Sequence, residues 1–117
     1  AFAANDAVSF GSIINAYTQP FLLLYNHRKD RGYRMEAFAK AIRQSAAKPV
    51  CIGVIGEHKK ACARYMQRTT GIRAQAVERP KEWIQAQNVR HVLCAGNIKG
   101  EGRQFLEEMI EEARQNV

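Results

Sequence analysis

The residue types best suited to chemistry crowd into one stretch, Asn26-His27-Arg28-Lys29-Asp30-Arg31-Gly32-Tyr33-Arg34, where four cations surround a single carboxylate. Guanidinium groups hold carboxylates and phosphates through paired, geometrically matched hydrogen bonds. The chemistry this stretch favours is therefore the binding of anionic groups. A second glycine-rich stretch, Gly96-Asn97-Ile98-Lys99-Gly100-Glu101-Gly102, lets backbone approach an anion at a helix start. Asn97, Lys99, Gly100 and Gly102 are its candidate anion-loop residues, with simple turn residues as the competing reading.

Other reactive residues carry weaker signals. Cys94-Ala95-Gly96-Asn97-Ile98 resembles the opening of a low-molecular-weight tyrosine phosphatase loop, but the arginine that chemistry needs is replaced by Gly100. Phosphatase chemistry is rejected on that ground. His58 reads as a turn residue and His91 as structural, whereas His27 is of more interest because it sits beside the basic stretch. Glu107, Glu108, Glu111 and Glu112 fall on the polar face of an amphipathic helix, where solvation explains them. No Walker-type phosphate loop occurs. Cys51, Cys62 and Cys94 lack metal-ligand or disulfide-framework spacing, so reduced, mostly buried thiols and no metal site are expected.

Strands and helices must position these residues. Five apolar residues, Phe21 to Tyr25 after Pro20, read as a strand buried on both faces. From Tyr33 the period changes: Ala37, Phe38, Ala41 and Ile42 continue a helical face that Pro49 terminates. Val50 to Gly56 is a second apolar strand, followed by a helix with inner-face Ala61, Cys62, Tyr65 and Met66 that Gly71 stops. Ile72 to Val77 alternates as a strand near the sheet edge, Pro80 starts a short helix with Trp83, and Arg90 to Gly96 is another strand. Phe105, Leu106, Met109, Ile110 and Ala113 mark a last helix. A first helix is expected from Ser9, capped by Asp6 or Ser9, and no element within Ala1 to Asp6. Right-handed crossovers then predict an α/β fold, a doubly wound, mostly parallel Rossmann-like sheet flanked by helices. Its strand-to-helix loops share the carboxyl edge, where open α/β sheets bind ligands.

The 117 residues fit one domain, residues 1–117, and the chain carries net charge +7. The charge is uneven: residues 27–48 hold seven cations and two anions, whereas residues 101–117 hold two cations and five anions. No apolar run reaches membrane-spanning length and no signal-peptide pattern opens the chain.

Three blocks together, Ala1-Phe2-Ala3-Ala4-Asn5-Asp6, then Asn26-x-Arg28-x-Asp30-Arg31-x-x-Arg34-x-Glu36-x-Phe38, then Gly96-Asn97-Ile98-x-Gly100-x-Gly102, resemble the C-terminal third of poly-γ-glutamate synthase. That synthase is a capsule-type amide ligase related to Mur ligases. The resemblance spans nearly the whole chain in order and departs at Ala7, where the family usually has proline, and in lacking a following tryptophan. It implies the C-terminal domain fold of Mur ligases and a chain that begins at the end of that domain's first strand. It also implies an ATP- and magnesium-dependent reaction. The γ-carboxylate of a glutamyl chain becomes an acyl phosphate, and the amine of an incoming glutamate displaces phosphate.

Under that resemblance the phosphate loop and metal ligands belong to an upstream central domain, and this chain is the substrate-binding domain that closes over it, inactive alone. Asn26, Arg28, Asp30, Arg31 and Arg34 are then the substrate or phosphate contacts, Asp30 orienting an arginine and Asn26 bonding loop or ligand. A local pair between Asp30 and Arg34 is the competing structural reading. Implied partners are the ATP-binding domain, glutamate or a γ-glutamyl chain, and membrane proteins of the synthase, which place the complex at the cytoplasmic face of the membrane. Two alternatives from other classes are a small basic nucleic-acid-binding module and a protein-interaction module with a decayed site. The first is disfavoured by few aromatics in the basic loop and by the acidic last helix.

Overall fold

The computed structural model describes residues 2–4, 7–16, 18–28 and 32–96. Nine elements follow in order: β1 (Phe2–Ala4), α1 (Ala7–Ala16), β2 (Phe21–His27), α2 (Gly32–Gln44), β3 (Ile52–Gly56), α3 (Lys59–Thr70), β4 (Ala74–Ala76), α4 (Pro80–Gln87) and β5 (His91–Gly96). The five strands form one sheet in the order β1-β5-β2-β3-β4, with every pairing parallel. This is the expected α/β Rossmann-like architecture. The expected last helix and the glycine-rich stretch after Gly96 lie outside the described residues.

Strand burial explains the sequence pattern. All seven residues of β2 are buried, because helices cover both faces of the central strand. On one face α1, α2 and α3 pack Phe10, Ile14, Phe38, Ile42 and Met66 against Leu23, Tyr25, Ile52 and Leu93. Phe38 anchors this layer, its ring 5.0 Å from Phe10 and 5.2 Å from Tyr25 in an edge-on arrangement. On the other face Trp83 of α4 and Val77 meet Leu22, Leu24, Ile55 and Val92. Gly53 makes room for this contact, since a Cβ there would lie 2.9 Å from the Trp83 ring. The chain thus winds in both directions from β2, with α4 returning it to β5 on the opposite face.

Three boundaries differ from expectation. Phe2–Ala4 is an edge strand paired with β5, Phe2 opposite Leu93, although composition alone suggested no element there. A three-residue edge strand is held by backbone pairing and needs no alternating side-chain pattern. The first helix begins at Ala7, so Ser9 lies inside it and is not its cap. α2 ends at Gln44 rather than nearer the proline, because Ser45 takes over its terminal carbonyl groups. The Ser45 hydroxyl contacts the carbonyls of Ile42 and Ala47 at 2.7 and 2.6 Å, and Lys48 Nζ donates to those of Ile42 and Arg43.

Candidate functional site

The carboxyl ends of β2, β3 and β5 meet around Asn26 and His27. Asn26 stands opposite Ile55 on one side and Gly96 on the other, and His27 stands opposite Gly56. Both polar residues are buried, at 7% and 6% exposure. Glycine is required at both neighbouring strand ends. Gly56 and Gly96 have φ of 96° and 91°, and a Cβ on Gly56 would collide with the Asn26 side-chain oxygen and the His27 carbonyl. A Cβ on Gly96 would collide with the Asn26 carbonyl.

His27 and Glu57 clasp each other through the backbone. Glu57 N–H donates to the His27 carbonyl at 2.9 Å, and His27 Nδ1 lies 2.9 Å from the Glu57 carbonyl. A carbonyl only accepts, so Nδ1 carries the proton. Nε2 is enclosed without a hydrogen-bond partner among the described residues. The clasp fixes the β3–α3 turn relative to the end of β2. His58 completes that turn in a left-handed conformation, φ 52°, in line with its reading as a turn residue.

Arg28 follows β2 directly and Arg34 sits in the first turn of α2, both half-buried. Arg34 acts electrostatically on the Tyr25 phenol, whose pKa is nevertheless driven far up, first by burial and then by the neighbouring Cys62. Asn26, Arg28 and Arg34 thus gather at the β2–α2 junction. Asp30 and Arg31 lie outside the described residues, as do Asn97, Lys99, Gly100 and Gly102.

Sequence reasoning passed over a further set of cations. Lys59, Lys60 and Arg64 line a shallow depression of about 420 Å³ with Gly56, His58 and Ala61, at the N-terminus of α3. Neither α2 nor α3 has an acidic residue in its first turn. Both helices follow parallel strands, so their N-termini, with their positive dipole ends, face this edge. Lys59 is partly neutralised by Glu78 at 3.0 Å. The signal in the sequence was Lys59-Lys60 with Arg64 four residues on, just after a glycine-ended strand.

This arrangement can bind and orient anions. Cys62 and Cys94 are not activated nucleophiles: burial pushes the Cys62 thiol up to about 12 and the Cys94 thiol up to about 11. Among the described residues no group of three His, Cys, Asp or Glu side chains could hold a metal ion, and no helix is long and apolar enough to cross a membrane. A family model described as the poly-gamma-glutamate synthase CapB C-terminal domain matches residues 1–112. No curated protein and no solved structure matches the chain.

Proposed function

Because the chain belongs to the poly-γ-glutamate synthase CapB C-terminal domain family, and so to poly-γ-glutamate synthesis, we propose that it is the substrate-binding, closing domain of an ATP-dependent amide ligase. The observation that carries this reading is the cationic carboxyl edge, where Asn26, Arg28 and Arg34 gather beside two helix N-termini. Carboxylates and phosphates are the ligands that such an edge attracts. ATP with magnesium would supply the phosphoryl group that activates the γ-carboxylate of the glutamyl chain. The donors here are cations and backbone N–H groups, which suit the anionic oxygens of nucleotide and substrate. Magnesium needs oxygen ligands, and these belong to an upstream central domain.

In this scheme Arg28 and Arg34 orient the γ-glutamyl chain end, together with Arg31, while Asp30 holds an arginine in place. Asn26 fixes the start of the loop through its seat between Gly56 and Gly96. The glycine-rich stretch with Asn97, Lys99, Gly100 and Gly102 forms the second anion contact. Closing over the central domain excludes water, so that the incoming amine of glutamate reaches the activated carboxyl. Membrane-protein partners hold the assembled synthase at the cytoplasmic face of the membrane, and the Mur-ligase relationship and capsule role follow from the same reading.

An amide-shift NMR titration tests this assignment, using γ-linked diglutamate and a short oligonucleotide of equal charge at physiological salt. Selective shifts at Asn26, Arg28, Arg34 and Gly96 with the diglutamate are expected. Shifts with the oligonucleotide alone would replace the ligase reading with a nucleic-acid-binding one.

A further inference from the structure

α3 carries a row of charge that the β2–α2 junction does not use. Lys60, Arg64 and Arg68 are spaced four residues apart and all are exposed, opposite the buried Cys62, Ala63 and Met66. The helix, KKACARYMQRTT, contains no Asp or Glu. Among the described residues none of the three cations has an ion-pair partner. Like charges at this spacing destabilise a helix by roughly 0.2–0.5 kcal/mol per pair. The row is thus locally unfavourable until an anion lies along it.

Its position extends the carboxyl edge. Lys60 and Arg64 line the depression beside Gly56 and His58, and Arg68 lies one turn further down the helix. Lys40 and Arg43 of α2 border the adjoining groove, where Glu36 is the acidic residue. The positive surface therefore runs from the edge where chain ends would be held down the outer face of α3.

Charge spacing selects the partner. Four helical residues rise ~6 Å, so the row presents one cation per ~6 Å over a span of ~12 Å. A γ-linked glutamate adds two carbon–carbon bonds to the 3.3–3.6 Å reach of an α-residue, giving one carboxylate per ~6 Å of extended chain. An α-linked polyglutamate carries its charges about twice as densely, and duplex DNA has one per ~1.7 Å. We infer that Lys60, Arg64 and Arg68 form a track for the poly-γ-glutamyl chain, holding its trailing residues while the chain end occupies the β2–α2 junction. This inference rests on the proposed role in binding the γ-glutamyl chain, and it adds a second, length-dependent contact.

The test is fluorescence anisotropy with labelled γ-linked di- and hexaglutamate, α-linked hexaglutamate and a hexanucleotide, at low and physiological salt. The proteins are the wild-type chain, the triple variant Lys60→Gln, Arg64→Gln, Arg68→Gln, and a control variant Arg79→Gln, Arg90→Gln. The γ-linked hexamer should bind the wild type more tightly than the dimer and the α-linked hexamer. The triple variant should weaken the hexamer about tenfold, the order that three exposed ion pairs supply, while leaving dimer binding unchanged and the melting temperature no lower than that of the wild type. Unchanged hexamer binding by the triple variant would sink the track while leaving the junction reading intact, since the dimer reports that site separately. An equal loss in the control variant would attribute the effect to net charge and overturn the track. So would equal or tighter binding of the α-linked hexamer or the nucleotide, or no hexamer binding by the wild type.

Discussion

Gly56→Ala probes the clasp that organises the carboxyl edge, and Gly71→Ala provides its internal control. Both glycines have positive φ, 96° and 76°, so alanine at either costs about 1–2 kcal/mol of left-handed strain. Around Gly71 an added Cβ meets nothing within 4 Å, whereas at Gly56 it meets the Asn26 side chain and the His27 carbonyl. Relief at Gly56 requires moving backbone and so opening the two 2.9 Å hydrogen bonds between His27 and Glu57. At about 1 kcal/mol each, these add about 2 kcal/mol to the cost at Gly56. The expected losses are thus about 3–4 kcal/mol for Gly56→Ala and about 1–2 kcal/mol for Gly71→Ala, measured by urea unfolding with the m-value checked for constancy. In thermal unfolding the gap corresponds to about 8 °C. Losses equal to within about 0.5 kcal/mol would show that strain alone acts at both positions and that the clasp contributes nothing.

Two further perturbations address the core. Phe38→Ala removes a fully buried ring that contacts Phe10 and Tyr25 and should cost about 3–5 kcal/mol in urea unfolding; a loss under 1 kcal/mol would contradict its anchoring role. Cys62 and Cys94 start from an ordinary value of 9.0 and are raised by burial to about 12 and about 11, so the folded chain keeps protons that the unfolded chain releases. Their contribution is complete below pH 9 and is lost as pH climbs toward those values, at about 1.4 kcal/mol per pH unit for each thiol. Replacing both with alanine should flatten the stability profile between pH 9 and 10 and make it shallower above pH 10, where the buried Tyr25 phenol still contributes. A profile unchanged by the double replacement would show that the thiols do not govern it.

The central fold was legible because burial and sequence pattern coincide there. Phe21 to Tyr25 and Ile52 to Ile55 are continuous apolar runs since helices cover both faces, and Phe38 with Ile42 sets the inner stripe of α2. β1 was hidden in composition because three edge residues pair through backbone, although the family resemblance placed a strand end there. The site was half legible. The run of arginines after Asn26 singled out the β2–α2 junction, where the structure places Arg28 and Arg34, but the reciprocal bonds between His27 and Glu57 join residues thirty positions apart and leave no local signature. Lys60 and Arg64 drew no reading from the sequence, and only the depression beside Gly56 places them at the sheet edge.

The strand order also dictates a sequence of assembly. β2, β3 and β4 are neighbours joined by single helical crossovers, so their pairings close short loops. β1 has no pairing partner until β5 arrives, for β5 alone bridges it to β2. The earliest and latest described strands therefore join in one event, which also brings Gly96 against Asn26. A nascent chain can build the β2–β4 half with its helices first, but the close approach of Gly96 to Asn26 exists only after β5 has joined the sheet. The complete carboxyl edge, with Gly96 seated against Asn26, is thus a product of the last strand pairing.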